Sequence, residues 1–519
     1  MNSSYISPFA KPVYIMLKPI GSVCNLACEY CYYLEKSKFY PDVKNHIMTD
    51  QILEKFIKEY MECQTMQEVL FTWHGGETLM RPISFYKKAL ELQRKYAGGR
   101  QIDNCIQTNG TLLNDEWCQF FKENNFLVGV SIDGPQEFHD EYRRNRQGLP
   151  SFYKVMKGIE LLKKHGVEYN AMAVVNDYNV DYPLEFYNFF KELDCRFIQF
   201  APIVERIGRH KEGTKLSSPE EQDAAIELAP FSVDSEKWGD FLCALFDEWL
   251  KEDVGKFYIQ LFDSTLANWV GEQPGVCSLA RHCGHAGVME FNGDVYACDH
   301  FVFPEYKLGN IQTKTLTEMM YSPVQQKFGT DKEDKLPTQC KECEYLFACH
   351  GECPKNRFLH TPNGEPGLNY LCKGYKKFFK HVAPYMDFMK NELMNQRPPA
   401  NIMEALKNGD PDIEEMRTAY NQRRRFLMNA FREMGLECFE PYGAFYVFPC
   451  IKEFGMTSEE FATRFLEEEK VAAVPGTAFG DSGEGYLRIS YAYSLEKLKI
   501  AIGRLGHFVE KLRAEQNNK

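Results

Sequence analysis

The stretch "CNLACEYC", residues 24–31, holds three cysteines in the spacing C-x3-C-x2-C: Cys24, Cys28 and Cys31. Metal sites built from protein ligands alone usually close with four. A four-iron, four-sulfide cluster takes one ligand per iron, so three thiolates leave one iron open to an outside ligand. A four-cysteine zinc site, or a ferredoxin-type cluster that borrows a distant cysteine, is the alternative. The stretch therefore predicts a metal centre, open or closed.

Six strand-like runs alternate with helical patterns around this stretch. They span residues 13–20, 68–76, 102–110, 127–135, 169–176 and 196–204. Parallel neighbours need a crossover helix, so these β–α repeats predict an α/β fold with a parallel sheet, doubly wound or curled like part of a TIM barrel. Ligands of either fold bind at the carboxyl ends of the strands. "CNLACEYC" follows the first run, with Tyr30 and Tyr32 beside Cys31, which favours the open cluster.

Polar loops also follow the next three runs. "GGE" (75–77) follows the second, "TNG" (108–110) the third, and "SIDGP" (131–135), with Ser131 and Asp133, the fourth. Each loop alone is a weak signal, because a glycine pair after a strand is usually just a turn. Loops that converge on one rim of a sheet predict a binding site.

Length and charge restrict the protein class. A chain of 519 residues is long enough for two or three domains, and its net charge of −12 argues against a nucleic-acid partner. No apolar run approaches membrane-spanning length, so we expect no membrane partner. Residues 1–19 lack a basic segment followed by an apolar one, which predicts an unprocessed, cytoplasmic chain in which disulfides are rare.

The eighteen cysteines are not scattered evenly. Seven are isolated, and we expect them to be small buried side chains; they are Cys63, Cys105, Cys118, Cys195, Cys243, Cys438 and Cys450. Eight more fall within residues 277–372, a region with little periodicity, where we expect metal to replace a hydrophobic core. These are Cys277, Cys283, Cys298, Cys340, Cys343, Cys349, Cys353 and Cys372. Eight thiolates can close two further four-iron clusters, or two zinc knuckles.

The cysteine motif, the six repeats and "GGE" resemble the radical S-adenosylmethionine superfamily over roughly residues 10–250. The resemblance implies a partial (β/α)6 TIM-like barrel. It also implies that the open iron binds the amino and carboxylate groups of S-adenosylmethionine, which the reduced cluster cleaves to a 5′-deoxyadenosyl radical. The residues that it implies for cofactor binding are Tyr30, Gly75, Ser131, Arg143 and Val204. Arg143 suits a carboxylate partner, but it also fits a surface charge in "EYRRNRQG".

The second cysteine region resembles the SPASM extension of peptide-modifying radical enzymes. The resemblance assigns one auxiliary cluster to Cys277, Cys283, Cys298 and Cys353, and another to Cys340, Cys343, Cys349 and Cys372. Three [4Fe–4S] clusters are then expected, with electron transfer as the role of the two closed ones. Four nearby histidines are expected to be cluster neighbours or surface residues rather than ligands, and they are His282, His285, His300 and His350.

The full array, with Asp299 directly after Cys298, is similar to anaerobic sulfatase-maturating enzymes, above all the Bacteroides-type members. That family uses the aspartate as a base while the radical removes a β-hydrogen from a Cys or Ser, and the product is Cα-formylglycine. The implied partners are an unfolded or nascent sulfatase polypeptide and a low-potential electron donor such as flavodoxin or ferredoxin. The first alternative is another SPASM enzyme that forms thioether or carbon–carbon links. A non-enzymatic electron-transfer protein is the second.

The last part of the chain fits none of this. Residues from about 401 resemble the small domain of class I/II aminotransferases, in which the arginine matching Arg488 binds the substrate carboxylate. The large domain, with its Schiff-base lysine, is missing, so we expect no pyridoxal phosphate. A binding or oligomerisation module and a fusion artefact both remain open. The expected domains are 1–250 (radical barrel), 251–396 (auxiliary clusters) and 397–519 (a small α+β tail).

Overall fold

The structure, a computed structural model, describes residues 12–208, 217–218 and 226–518. Residues 1–11, on which much of the expectation of an unprocessed start rests, lie outside this range. The chain divides into two compact units, residues 1–403 and 404–519. The expected boundaries at 250/251 and 396/397 stay predictions.

The first unit is built on one ten-stranded sheet. Its order is β12-β11-β10-β1-β2-β3-β4-β5-β6-β9, and every pair from β10 to β9 is parallel. The strands are β1 Tyr14–Leu17, β2 Glu68–Trp73, β3 Gln101–Thr108, β4 Phe126–Ser131, β5 Tyr169–Val175, β6 Phe197–Pro202, β9 Tyr258–Ile259, β10 Ala286–Met289, β11 Asp294–Tyr296 and β12 Lys307–Asn310. Two short pairs lie outside it: β7 Arg206–Ile207 with β8 Glu227–Leu228, and β13 Leu359–His360 with β14 Pro366–Leu368. The predicted parallel α/β fold is confirmed, and β12 and β9 are the two edges of the sheet.

The helices between the strands bury one apolar face, and some of them also begin with a side-chain cap. In α1, for example, the Thr49 hydroxyl accepts a hydrogen bond from the Ile52 N–H, and Leu53, Phe56 and Ile57 are buried on one face. The helices of this unit are α1 Asp50–Glu62, α2 Ile83–Tyr96, α3 Asp115–Glu123, α4 Gln136–Tyr142, α5 Phe152–His165, α6 Pro183–Glu192, α7 Ser235–Glu252, α8 Gln260–Val270, α9 Leu316–Met320, α10 Pro323–Asp334, α11 Thr338–Lys341, α12 Leu346–Cys349 and α13 Cys372–Met394.

The cysteine-rich region is more regular than its sequence indicates. Strands β10, β11 and β12 extend the main sheet, and β10 pairs directly with β1. Met289 and Val295 are fully buried in the same core as the six repeats. The expectation that metal replaces a hydrophobic core here is therefore wrong for this hairpin, whose strands are too short to show an apolar pattern in the sequence.

The second unit has its own core. It contains α14 (Asn401–Met434) from Glu404 onward, β15 Tyr446–Val447, α15 Ser458–Glu469, β16 Val474–Pro475, β17 Leu487–Ser490 and α16 Leu495–Asn517, with strand order β15-β17-β16. Ile451, Phe461 and Phe508 are fully buried in it. The long amphipathic helix and the two strands expected in the tail are present.

Two further expectations concern membranes and thiols. Within the described ranges, no helix is long and apolar enough to cross a membrane. All eighteen cysteines are free. Of the seven isolated ones, Cys63, Cys118 and Cys195 are buried as expected, whereas the other four are only half-buried.

Candidate active site and cluster centres

The loop that carries the first three cysteines lies directly after β1. The thiols of Cys24 and Cys28 are buried, and Cys31 is half-buried. The Cys24 sulfur accepts hydrogen bonds from the Leu26 N–H at 3.4 Å and from Asn109 Nδ2 at 3.7 Å. Such bonds to sulfur are a means by which proteins tune iron–sulfur clusters. The three thiols and these donors fit a cluster held on one loop.

Burial keeps these thiols protonated in the absence of iron. It raises the pKa of Cys24 to about 11 and that of Cys28 to about 12. The Arg143 guanidinium partly offsets the effect at Cys28. Only the thiolate binds iron, so cluster assembly must release these protons.

The "GGE" segment packs against the cluster loop. The Gly76 N–H donates to the Gly21 carbonyl at 2.7 Å, and a Cβ on Gly76 would lie 2.1 Å from the Val23 carbonyl oxygen. Glu77 is fully buried and accepts from the Asn109 N–H at 2.7 Å and from Thr108 Oγ1 at 2.8 Å. Glycine at 76 and the buried Glu77 thus join the ends of β1, β2 and β3.

The residues predicted to bind S-adenosylmethionine fall at this same rim. The Tyr30 hydroxyl donates to the buried Asp133 carboxylate, and Arg143 Nε donates to the same carboxylate at 2.8 Å. Arg143 is itself buried, so the surface-charge alternative is wrong. Its partner Asp133, two residues after β4, explains why a cation is tolerated inside.

The other three predicted residues end neighbouring strands or follow them. Ser131, the last residue of β4, accepts from Gln107 Nε2 at 3.0 Å. Gly75 follows β2 with a positive φ of 153°, and its N–H donates to His74 Nδ1 at 2.8 Å. Val204 is buried just after β6. The roles of these residues toward S-adenosylmethionine stay predictions.

One set of four cysteines lines a common cavity. Cys340, Cys343, Cys349 and Cys372 all face a cavity of about 480 Å³. Glu365 and Lys376 are among the other residues that line this cavity. This set is the one that the SPASM resemblance assigned to a single auxiliary cluster.

The other four cysteines affect one another electrostatically. Burial raises the pKa of Cys298 well above its usual value, and Cys277, Cys353 and Cys283 raise it further. Burial likewise raises the pKa of Cys353, with Cys283 and Cys277 among the groups that add to it. The structure therefore brings this set together as well.

Within the described ranges, no three His, Cys, Asp or Glu side chains converge closely enough to hold a single metal ion. Each thiolate of a cubane binds a different iron, so cluster ligands need not converge on one point. The chemistry of the eight sulfur donors fits two such clusters.

Asp299 lies in a buried polar cluster opposite the cysteine loop. Its Oδ1 forms an ion pair with Lys18 Nζ at 2.6 Å, and its Oδ2 accepts a hydrogen bond from the Tyr32 hydroxyl. Desolvation is the largest single influence and acts to raise the pKa of Asp299. The Lys18 ammonium, His74 and His300 together outweigh it and hold that pKa well below its usual range. Asp299 is therefore ionised at neutral pH.

Three residues that sequence reasoning missed, Lys18, His74 and Glu290, complete this cluster. Lys18 Nζ donates to His74 Nδ1 at 3.1 Å, and the Gly75 N–H donates to the same nitrogen, so the neutral ring carries its proton on Nε2. Burial lowers the pKa of His74 to about 3. Glu290 accepts from the Tyr33 hydroxyl, and burial raises its pKa to about 8. Lys18 directly follows β1 and His74 directly follows β2, but a lone lysine or histidine after a strand does not by itself indicate a site.

His300, which was expected to be a cluster neighbour or surface residue rather than a ligand, lies beside a predicted cluster ligand, because its backbone forms a hydrogen bond with Cys298. Its ring lies 4.9 Å from the Tyr32 ring, and burial lowers its pKa to about 4. It lines a small cavity with Tyr32, Lys36, Val204 and Lys355. We call this the mouth cavity, and the described residues that line it are Tyr32, Lys36, Val204, Glu205, Arg206, Ser217, His300, Phe303, Lys355 and Phe358.

Family models match three parts of the chain. The radical SAM superfamily matches residues 19–190, and the iron–sulfur cluster-binding domain SPASM matches residues 283–344. Aminotransferase class I and II matches residues 381–505. The tail is also 51% identical over 109 residues to the putative aminotransferase YugH of Bacillus subtilis, of which those residues cover 28%.

Two relatives match the first part at greater length. A serine-type anaerobic sulfatase-maturating enzyme of Bacteroides thetaiotaomicron is 72% identical over 414 residues, which are 80% of this chain and the whole relative. The solved structure of native anSMEcpe with bound AdoMet and Cp18Cys peptide is 32% identical with a TM-score of 0.65, over 74% of this chain and all of that one. With the cluster loop, the eight further thiols and Asp299 in place, the chain belongs to the anaerobic sulfatase-maturating enzymes of the radical S-adenosylmethionine superfamily.

Proposed function

We propose that this chain oxidises a target residue in a sulfatase polypeptide to Cα-formylglycine. One observation carries the proposal. The ionised Asp299 is held by Tyr32, the residue directly after Cys31, so a base lies one side chain away from the predicted open cluster. When bound, that cluster with S-adenosylmethionine supplies a radical that removes a hydrogen atom from Cβ, and the auxiliary clusters supply acceptors for the second electron.

Asp299 takes the proton of the target hydroxyl or thiol. Oδ1 is buried against the Lys18 ammonium, whereas Tyr32 uses one lone pair of Oδ2 and leaves a further acceptor site on that oxygen. The side chain of Asp299 remains 15% exposed. The low pKa keeps Asp299 ionised without activation. It also makes Asp299 a weak base, so proton transfer must accompany loss of the Cβ hydrogen rather than precede it.

The chain binds iron–sulfur clusters and S-adenosylmethionine, and we propose three [4Fe–4S] clusters. The support is the division of eleven cysteines into the loop set, the cavity set and the electrostatically coupled set described above. About twelve irons per chain are expected after anaerobic reconstitution. Stoichiometric zinc with a single four-iron cluster would contradict this part of the proposal.

The polypeptide and redox partners follow from the same chemistry. We propose that the target residue is serine, because identity to the serine-type Bacteroides enzyme is 72%, against 32% for the enzyme solved with a Cys peptide. An unfolded or nascent sulfatase offers this residue in a flexible segment. A flavodoxin or ferredoxin supplies the low-potential electron. None of the eighteen cysteines forms a disulfide, which suits a reducing, cytoplasmic setting.

A pair of peptides tests the proposal. They carry a sulfatase target segment that differs only in Ser or Cys at the target position, and reconstituted enzyme is given S-adenosylmethionine and dithionite. The expected product is an aldehyde, detected by hydrazone formation and mass spectrometry, formed faster from the Ser peptide. A cross-linked peptide without aldehyde would instead indicate a different SPASM enzyme. Absence of S-adenosylmethionine cleavage would indicate an electron-transfer protein.

A further inference from the structure

Lys36 is a buried cation that has no oxygen partner within the part of the chain that the structure describes. It lies in the short 3-10 helix Leu34–Phe39, five residues after Cys31, and is only 4% exposed. Its Nζ lies 3.3 Å from the centroid of the Phe303 ring and 5.4 Å from that of Phe39. Among the described residues, no carboxylate or carbonyl oxygen forms a hydrogen bond or ion pair with this ammonium. Aromatic faces replace only part of the hydration that it has lost.

The neighbouring charges do not supply the missing partner. Glu205 is the acidic side chain of the mouth cavity, and it already forms an ion pair with Lys355. Arg206, a third cation in the lining, donates to the Ser218 carbonyl at 2.9 Å. Among the described residues that line the cavity, Lys36, Arg206 and Lys355 are cationic and Glu205 is the one carboxylate. Burial lowers the pKa of Lys36 to about 7, as expected for an ammonium that lacks a close anion.

The position of the cavity indicates what enters it. Tyr32, which binds Asp299, and His300, which directly follows Asp299, both line it. The cavity has a volume of about 20 Å³, which is room for one water-sized group. A polypeptide whose target residue reaches Asp299 therefore comes close to this wall and can place one oxygen atom in the cavity. Every residue of such a segment carries a carbonyl oxygen, and an ammonium has three donors for oxygens of this kind.

We propose that Lys36 binds the polypeptide substrate through a hydrogen bond from its ammonium to a carbonyl or carboxylate oxygen beside the target residue. The inference rests on the proposed function, since it takes a polypeptide as the substrate. It assigns Lys36 to binding and not to proton transfer.

Direct binding tests the proposal without turnover. The ligand is a fluorescent sulfatase peptide with Ala at the target position, added to reconstituted enzyme with S-adenosylmethionine. Lys36→Met should raise the peptide Kd by about tenfold or more, since a hydrogen bond to a charged group is lost. Lys36→Arg should restore most of the affinity. The matched control is Lys38→Met, in the same helix, because Lys38 is exposed and paired with Glu35.

Two further arms identify the oxygen and the ligand. A series of peptides, each with one acidic residue replaced by its amide, separates a side-chain carboxylate from a main-chain carbonyl. If Lys36 binds a carboxylate, the increase in Kd caused by Lys36→Met disappears in the peptide that lacks that carboxylate. If Lys36 binds a main-chain carbonyl, the increase in Kd persists in every amide peptide. The Kd of S-adenosylmethionine should be unchanged in Lys36→Met. A Lys36→Met enzyme that binds peptide normally, or that loses only S-adenosylmethionine affinity, would overturn the proposal.

A measurement on the unmodified protein covers the case in which Lys36→Met fails to fold. An amine-reactive acylating reagent should label Lys36, and the Ala peptide should slow that labelling several-fold while labelling of Lys38 stays constant. Equal labelling of Lys36 with and without bound peptide overturns the proposal. If unmodified enzyme binds no sulfatase peptide at all, the proposed function fails, and that outcome is distinct from normal peptide binding by Lys36→Met.

Discussion

At the scale of single residues, the polar cluster around Asp299 is held together by contacts between residues that lie far apart in the sequence. Tyr32 and Asp299 are separated by 267 positions, and Tyr33 and Glu290 by 257. The three cysteines and "GGE" could be predicted as site residues, because each motif lies within a few consecutive residues and cluster ligands need a fixed spacing. Lys18 and His74 could not, because a lone lysine or histidine after a strand carries no signal until the fold brings its partner close.

Asp299→Asn should remove formylglycine formation selectively. The amide has the size of the acid but cannot accept a proton at neutral pH, so aldehyde formation should fall by about 10²–10⁴-fold. Cleavage of S-adenosylmethionine should persist, because the cysteine loop is untouched. Product analysis by mass spectrometry measures the first quantity and 5′-deoxyadenosine formation the second. The control is Asp240→Asn, a surface residue paired with Lys377. Aldehyde formation at the original rate would mean that another group is the base.

Lys18→Met should change the pH dependence of the reaction. Lys18 lowers the pKa of Asp299, and the base works only when ionised, so activity is lost as pH falls through that pKa. Without the ammonium the pKa rises, and the acidic limb of kcat against pH should move upward by about 1–3 pH units. Methionine fills the space of this fully buried side chain. Lys251→Met, at an exposed pair with Glu248, is the control. An acidic limb that stays in place would show that Lys18 does not set the basicity of Asp299.

At the scale of elements, the sequence predicts that the ends of β1, β2, β3 and β4 form a binding site, but it does not predict that β10, β11 and β12 extend the sheet. The first strands alternate with long helices, and their order follows from the need for crossovers. Strands β10 to β12 have four, three and four residues, too few for a periodic pattern. Their place beside β1 brings Asp299 to the cysteine loop. The site therefore depends on a sheet extension that only the structure reveals.

Gly76→Ala should disturb the first cluster through sterics alone. The added Cβ would lie 2.1 Å from the Val23 carbonyl oxygen, next to Cys24, so the loop must move. We expect a stability loss of about 1–3 kcal/mol, together with reduced iron in the first cluster. Thermal unfolding and iron analysis measure the two effects. Gly503→Ala, in α16 with no atom near the new Cβ, is the matched control. Unchanged iron content and S-adenosylmethionine cleavage would argue against this close approach.

At the scale of the whole molecule, the chain joins a complete maturase to part of an unrelated fold. The Bacteroides relative is matched along its full length by 80% of this chain, so about a fifth of the chain has no counterpart in it. In the second unit Arg488 packs against the Tyr446 and Phe479 rings, at 4.5 and 4.9 Å from their centroids. Phe439 and Tyr442 are 83% and 84% exposed. A second fold fused to the first was predictable from the change in sequence pattern after residue 400.

A chain that ends at Met403 should keep its maturase activity. Ile402 is buried in the core of the first unit and Met403 packs against it, so the cut leaves that core whole. The full chain should show no visible aldimine absorbance with pyridoxal phosphate, and it should self-associate more readily than the shortened chain, because apolar side chains are exposed in the tail. Turnover, absorbance and light scattering test these points. Loss of formylglycine formation on truncation, or a lysine-linked aldimine, would make the tail a working part.

The central claim is that a radical formed at the Cys24, Cys28 and Cys31 loop removes a hydrogen from the target residue of a sulfatase peptide. The most direct measurement uses a Ser peptide with deuterium on the target Cβ, incubated with reconstituted enzyme, S-adenosylmethionine and dithionite. Deuterium in 5′-deoxyadenosine, together with an aldehyde in the peptide, is the predicted result. Aldehyde formed with unlabelled 5′-deoxyadenosine, or labelled 5′-deoxyadenosine with a cross-linked peptide, would contradict the account.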